Sequence, residues 1–375
     1  MAKKRKPFAK LQIALFCSFI GIFALLYILL PRDSFSEKEK RTLAEFPEVS
    51  LSSILDGSFE SGFETWLSDH VPGRDALVGL HAYYELVSGR NGLSGVILGR
   101  DGSLFAAPEE VDMEQVVNKC SRINALAEAT GVPTSVMLIP TSGYMHPADL
   151  PALHASYPDG EVAAAVREAL NDGIAFLWPE DRFRAHADEE LYYHTDHHLT
   201  SRGAYEACAY FAESLGFAPV AASSYEIETI DDFYGSMYAK AGLWNVKPDR
   251  VEIWRSQMLG GVTVSFDDRD SSDSLFFPEH LTEMDKYPVF LDGNHALVTI
   301  ETDRADGENL LIVRDSFGHC FAPFAADYFK SITLVDLRYY RLPISQLAKE
   351  LEIDRVLVLY GMDTFLTDTN FAWMK

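Results

Sequence analysis

The stretch "LLIVRDSFGHC", Leu310–Cys320, runs four apolar residues into an arginine, an aspartate, a serine and, two positions on, a glycine. A short apolar run of this kind reads as a buried strand, and Gly318 permits a tight turn immediately beyond it. The runs "TSVMLIPT" (134–141), "KSITLVDLRYY" (330–340) and "IDRVLVLYGMDT" (353–364) share the pattern of an apolar β-rich core ending in polar groups, and "IAFLW" (174–178) is a shorter one. Between them lie helical candidates: "EEVDMEQVVNKCSRINALAEATG" (109–131), "GEVAAAVREAL" (160–170), a segment near Pro323 to Phe329, and "PISQLAKELE" (343–352). Such alternation predicts an α/β domain whose central, mostly parallel sheet is covered on both faces. Ligands in that architecture gather beyond the carboxyl ends of the strands, here Pro140-Thr141, Asp315-Ser316, Asp336 to Tyr340 and Tyr360-Gly361.

Outward from this core, "GVILGRDGSLF" (95–105) resembles a hairpin pivoting on Asp101-Gly102. The α/β domain is expected over residues 95–375, with an irregular, aromatic-rich insertion over the site at about 219–286. Residues 31–94 are expected to form a charged stalk followed by amphipathic helical segments, broken at the Pro-Gly turn of "DHVPGRD" (69–75).

The amino terminus carries a different signal. "MAKKRKPFAK" holds five Lys/Arg and no acid, and "LQIALFCSFIGIFALLYILL" (11–30) is apolar except for Gln12 and Ser18. At 1.5 Å per residue that run spans a hydrocarbon layer of about 30 Å. The expectation is a cytoplasmic basic tail (1–10), a single transmembrane helix (11–30), and everything after it outside the cell membrane. A cleaved signal peptide is the competing reading, but the run exceeds a usual h-region and "LLPRDSF" offers no small-x-small cleavage site. The whole chain has 32 basic and 56 acidic residues, net −24; without the five amino-terminal bases, 27 against 56 remain, net −29. That surface repels nucleic acid and anionic lipid, and argues for an ectodomain held at the membrane by its anchor alone. Cys17 lies in the apolar run, and Cys120, Cys208 and Cys320 have no motif spacing, so they read as small core residues.

Candidate chemistry sits in two places. In "YYHTDHHLTSRGAY" (192–205), Thr200 or Ser201 caps a helix that Gly216 ends, which fixes His194 to His198 at a helix amino terminus. Asp196 and His198, two apart, point the same way in an extended segment, and a carboxylate beside a histidine holds the imidazole's tautomer. The missing partner of such a relay is a nucleophile, and Ser316 at the end of a central strand supplies one. The competing reading makes Ser316 a simple cap for the next helix. Softer candidates for an oxyanion or acyl oxygen are Arg338, Tyr360, Asn294 and His197, against which stand a surface arginine, a packing tyrosine and a Gly-Asn turn. "PTSGYMHP" (140–147) can line the cleft, and Asp315 can anchor the serine turn. His194, His197, His198, His295 and His319 raise the question of a metal, but no His-Glu-x-x-His or close repeated pair supplies a ligand set, and neither metal nor cofactor is expected.

"YYHTDHHLTSRGAY", with "VRDSFGHCFAPFAADYFKSITLVDLRYY" (313–340) and the membrane-proximal "KRTLAEFPEV" (40–49) and "DHVPGRD", resembles the bacterial DHHW proteins, which are similar to the alginate O-acetylation enzymes of the SGNH hydrolase-like group. The resemblance implies an extracytoplasmic three-layer α/β domain with a Ser-His-Asp triad, in which Asp-x-His falls on Asp196 and His198 and the serine on Ser316. Leu199 stands where the fourth letter of the family name calls for tryptophan. The function implied is serine-dependent acyl transfer, with an O-acetyltransferase of a cell-envelope or secreted glycan ahead of an O-acetylesterase with the same triad. A membrane-bound acyl-donor partner fits that role. A non-catalytic glycan-binding or assembly scaffold is the third reading.

Overall fold

Apolar residues on both sides of the central parallel strands explain the core of the computed structural model, which describes residues 6–36, 38–267 and 269–374. The first five residues of the expected basic tail therefore lie outside the described residues. The chain divides into two units, one of residues 1–90 with 242–244, the other of 91–241 with 245–375.

The first unit opens with α1 (Lys6–Leu29), of which Phe8–Leu29 is long and apolar enough to cross a membrane. A two-strand bridge follows, β1 (Phe35–Ser36) and β2 (Arg41–Thr42), then helices α2 (Leu51–Leu55), α3 (Ser58–Asp69) and α4 (Arg74–Val87). Asp69 ties this segment together, accepting from Arg41 Nη1 at 2.9 Å and from the Ala44 N–H at 2.8 Å. Trp66 packs edge-on against Tyr27 and Phe46, at ring separations of 5.8 and 5.0 Å.

The second unit begins with the hairpin β3 (Val96–Leu98) and β4 (Leu104–Ala106), turning at Asp101-Gly102, where Gly102 takes φ +94°. Asp112 caps α5 (Met113–Thr130) by accepting from the Glu114 and Gln115 N–H groups, and Gly131 ends it in a left-handed conformation. Then come β5 (Thr134–Ile139), the short α6 (Ser142–Met145), α7 (Asp159–Ala169), β6 (Ala175–Leu177), α8 (Glu180–Ala185) and α9 (Ser201–Ser214). Thr200 caps α9 through the Gly203 N–H, and Gly216 at φ +84° follows its end.

Residues 219–286, read from sequence as an irregular insertion, contain regular structure. A long antiparallel ribbon, β7 (Tyr225–Phe233) and β8 (Asp249–Ser256), encloses α10 (Ser236–Ala241), and β9 (Val262–Phe266) joins the central sheet. The sequence hid the ribbon because "YEIETIDDF" buries only its two end residues and so lacks an apolar stripe.

The last elements are β10 (Leu297–Thr302), β11 (Asn309–Arg314), α11 (Phe317–Ala325), β12 (Ser331–Asp336), α12 (Ile344–Glu350), β13 (Arg355–Gly361) and α13 (Met362–Thr367). Among the described residues the central sheet has seven strands in the order β6-β5-β13-β11-β12-β10-β9. The first five are parallel, and β10 and β9 complete one edge antiparallel. The mostly parallel α/β sheet expected from the strand runs is thus the sheet found.

Helices α5, α7, α12 and α13 cover one face through Ile123, Val162, Leu347 and Phe365, meeting Val136, Leu311 and Val358 of the strands. The other face, with Met137, Ile312, Leu334 and Leu359, packs against α8, α9, α11 and the ribbon. Helix α11 departs from the expected segment near Pro323 to Phe329. It starts directly after Ser316 and carries Pro323 inside, with all nine residues buried. An interior proline removes a helix hydrogen bond at a cost of ~3 kcal/mol. Burial of Phe317, Phe321 and Phe324 in the core against α9 offsets that cost.

Candidate active site

Strand β11 delivers Ser316 to the carboxyl edge of the sheet, and Asp315 fixes the turn. Its buried carboxylate accepts from the Phe317 N–H at 2.9 Å and from the Gly361 N–H at 2.8 Å, clamping the start of α11 to the end of β13. Burial pushes the Asp315 carboxyl up to about 7, against the two N–H donors that lower it. Gly361 is obligatory here, since a Cβ would lie 2.3 Å from the Phe317 ring. Gly318 has a different role from the turn expected for it. It sits in the first turn of α11 without a positive φ, and a Cβ there would come within 2.9 Å of the Arg314 side chain.

Ser316 occupies the capping position of α11 with helical backbone angles, yet its side chain makes no capping hydrogen bond. Its Oγ instead lies 2.6 Å from His198 Nε2, and the residue is half-buried.

The segment that carries His198 is a tight loop closed by a bridge between Tyr192 and Leu199. Asp249 holds the loop from outside: its carboxylate accepts from the His194 N–H at 2.8 Å, the Thr195 N–H at 2.7 Å and the Thr195 hydroxyl at 2.5 Å. Inside the loop, Asp196 Oδ1 lies 2.5 Å from His198 Nδ1 and accepts from the His198 N–H at 3.0 Å. Asp196 Oδ2 accepts from the Ser236 N–H at 2.5 Å. The approach is possible because Gly235 has no side chain, a Cβ there falling 2.2 Å from Asp196 Cβ. Tyr287 closes the other side, its ring stacked on the His198 imidazole at 3.9 Å and 10°, its hydroxyl donating to the Ser316 carbonyl at 3.0 Å.

The electrostatics suit proton transfer. Burial, the largest influence on Asp196, raises its pKa, but His198, His197 and the donated hydrogen bonds outweigh it and hold the carboxyl well below the usual range. Burial and the adjacent His197 push the His198 imidazole below its ordinary value, while Asp196 pulls it part of the way back. The resting pair is therefore a carboxylate and a neutral imidazole. An ionised Asp196 accepts only, so the His198 proton sits on Nδ1 and the Nε2 lone pair faces the Ser316 hydroxyl.

The structure brings Asp196, His198 and Ser316 into one hydrogen-bonded chain and scatters the softer candidates. His197 sits beside the triad, its Nδ1 2.9 Å from Ser236 Oγ and its ring 3.9 Å from that of His198. Arg338 is occupied by Asp336, with contacts of 2.9 and 2.6 Å, and by Asn294, whose side-chain oxygen accepts from it at 3.0 Å. Tyr360 is buried against Phe371 in the cluster on the opposite face of the sheet, because it alternates with Leu359 along β13. It reaches neither Ser316 nor His198 among the described residues. His319 is buried in α11 with both ring nitrogens unbonded among the described residues. Asp196, His197 and His198 place one ligand atom each within 4.8 Å of one another.

Three contributors had no signal in the sequence: Tyr287, the Gly235-Ser236 pair, and Asp249. Each contacts the loop from 39 or more positions away along the chain. A cleft opens beside the triad, lined by Thr141, Ser142, His197, Phe317 and Asp363, so that the start of "PTSGYMHP" does form part of its wall.

No curated protein matches the sequence. Among solved structures, a DHHW family protein from Eubacterium siraeum is similar at 25% identity and a TM-score of 0.63, over 75% of this chain and 95% of that one. Bacillus cereus PatB1, solved with a sulfonyl adduct, is similar at 18% identity and a TM-score of 0.64, over 75% and 98%. The O-acetyltransferase domain of Pseudomonas putida AlgJ is similar at 13% identity and a TM-score of 0.45, over 73% and 93%. The DHHW protein family model matches residues 39–121 and 165–335, a span that includes Asp196, His198, Tyr287 and Ser316. By that match the chain belongs to the DHHW family.

Proposed function

We propose that the protein is a membrane-anchored, extracytoplasmic serine acyltransferase that places O-acetyl groups on a cell-envelope or secreted polysaccharide. The observation that carries this reading is the continuous chain from Asp196 through His198 to a half-buried Ser316. Ser316 Oγ attacks the acyl carbonyl of a donor while His198 Nε2 takes its proton; the donor's bond to the acyl carbon breaks, and the proton passes to the departing oxygen. In the second half, an acceptor sugar hydroxyl gives its proton to His198 and attacks the acyl carbon; the bond to Ser316 Oγ breaks and His198 returns the proton to that oxygen. Asp196 keeps the imidazole in the correct tautomer and stabilises its protonated form throughout. His197, which lines the cleft next to Phe317, is the best placed of the softer candidates to touch the substrate.

Helix α1 anchors the chain with its basic end in the cytoplasm, which puts the catalytic unit among envelope glycans. Transfer in place of hydrolysis requires that the acceptor outcompete water, and the half-buried position of Ser316 supports that. The test incubates purified full-length protein with an acetyl donor and envelope polysaccharide fractions, and quantifies acetyl-sugar and free acetate together. Ser316-dependent acetyl-sugar is the expected product. Free acetate alone, with acceptors shown to bind, would make the protein an esterase; full cellular function in a Ser316→Ala strain would make it a scaffold.

A further inference from the structure

A second cavity, of about 170 Å³, shares the wall of the catalytic cleft: Ser142 lines both. It lies between the turn that follows β5, with His146 and Asp149, and the loop leading to the triad, with Asp188, Glu190 and His194. An apolar cavity of ~150 Å³ holds one benzene, so this volume suits one six-membered ring. Ser142 is 7% exposed, and its hydroxyl makes no hydrogen bond among the described residues. It borders both cavities, and a hydroxyl not engaged within the protein is open to a ligand.

The charge of the walls is one-sided. Among the described residues no lysine or arginine lines the cavity. Glu189 is paired with Arg202, and Asp101 is bonded to the Ser103 hydroxyl. Arg184, close enough to act on His146, is engaged by Glu180 at 2.9 Å. Asp149, Asp188 and Glu190 have no lysine or arginine partner among the described residues. Carboxylates accept without donating, which matches the donor-rich edge of a sugar and the ammonium of an amino sugar. The wall's imidazoles are His146, 3.9 Å from Asp149, and His194; burial holds His146 below its ordinary value, so a uronate brought among the carboxylates meets mainly like charge.

We propose that this cavity is the subsite for one ring of the glycan presented to Ser316, and that it takes a neutral or protonated amino sugar and rejects uronic acids. The proposal rests on the acyltransferase reading for the role of the ring, but its binding test does not depend on turnover. Full-length Ser316→Ala protein in detergent is titrated calorimetrically with mannotetraose, fully deacetylated chitotetraose and tetramannuronate. The first two are expected to bind, the cationic one more weakly as salt is raised, and the uronate at least ~10-fold more weakly than mannotetraose. In the same background, Asp149→Asn with Glu190→Gln should narrow the gap between uronate and mannotetraose. Ala187→Trp, on an exposed residue of the cavity wall, should lower the affinity for mannotetraose at least ~10-fold, with the melting temperature checking the fold. Uronate binding as tight as the neutral sugar, no sugar binding at all, or affinities indifferent to both variants would overturn the proposal. Failure of Ser316 to become acylated while the sugars bind as described would count against the acyltransferase reading and leave the subsite standing.

Discussion

His198 Nε2 lies 2.6 Å from Ser316 Oγ, although 118 positions separate the two residues in the chain. The contact exists because each side is fixed by a different buried carboxylate, Asp315 under the serine turn and Asp196 under the imidazole. The site is therefore most sensitive to changes that loosen one clamp.

Asp196→Asn keeps the shape of the loop but presents an amide where His198 needs an ionised acceptor. The wrong tautomer then turns a proton toward Ser316. Acylation by an activated ester should fall ~10³ to 10⁴-fold with glycan affinity unchanged. Stopped-flow acylation with parallel binding titrations checks this, and a loss of less than about tenfold would leave Asp196 a packing role only.

Gly235→Ala tests the approach of the ribbon. The new methyl falls 2.2 Å from Asp196 Cβ and 2.6 Å from the Thr195 carbonyl, so backbone must shift. Loss of the Ser236 N–H bond to Asp196 should destabilise the fold by ~1–3 kcal/mol and slow acylation. Thermal melts and rates on the same samples read both effects, and a variant with neither would show that the approach has slack.

Tyr287→Phe separates the ring of Tyr287 from its hydroxyl. The stack on His198 remains, and the hydrogen bonds to the Ser316 carbonyl and Cys320 Sγ, at 3.0 and 3.2 Å, are lost. A loss of ~1 kcal/mol in stability and a rate change below about tenfold are expected. Tyr287→Ala, which also empties a buried ring site, should cost ~3–5 kcal/mol. Equal effects of the two substitutions would assign the whole role to the hydroxyl.

The pH dependence follows from the direction of the His198 shift. Only the neutral imidazole takes the serine proton, so the acylation rate is lost as pH falls through the His198 pKa. That pKa is depressed by burial and by His197, which places the acid limb below the ordinary histidine value of ~6.5. Replacing His197 by Gln removes one of the two depressing influences and should move the limb to higher pH. A profile of acylation rate against pH for both proteins measures the shift, and movement to lower pH would contradict the account.

The sheet was legible because runs such as Leu310–Val313 and Val356–Leu359 are apolar on both faces, which only a covered parallel sheet accommodates. For the same reason the side of the sheet that Tyr360 faces was not legible, since no alternation marked either face of β13. Asp196, His198 and Ser316 could be read because each stands at an element boundary with its own local pattern. Tyr287 stacks on His198 from a short 3₁₀ turn, and Asp249 holds the loop from the far end of the ribbon, contacts that no local pattern encodes. Pro323 misplaced helix α11 because a proline usually starts a helix, and here the fully buried neighbours override that rule.

The central claim is that Ser316 is a nucleophile activated by His198. The most direct measurement is the intact mass of the full-length protein after treatment with a sulfonyl fluoride, alongside Ser316→Ala and His198→Ala. One adduct per chain on the wild type, absent from Ser316→Ala and at least ~10³-fold slower to form in His198→Ala, is the predicted result. Labelling that persists unchanged in Ser316→Ala, or a folded wild type that takes no label, would contradict it.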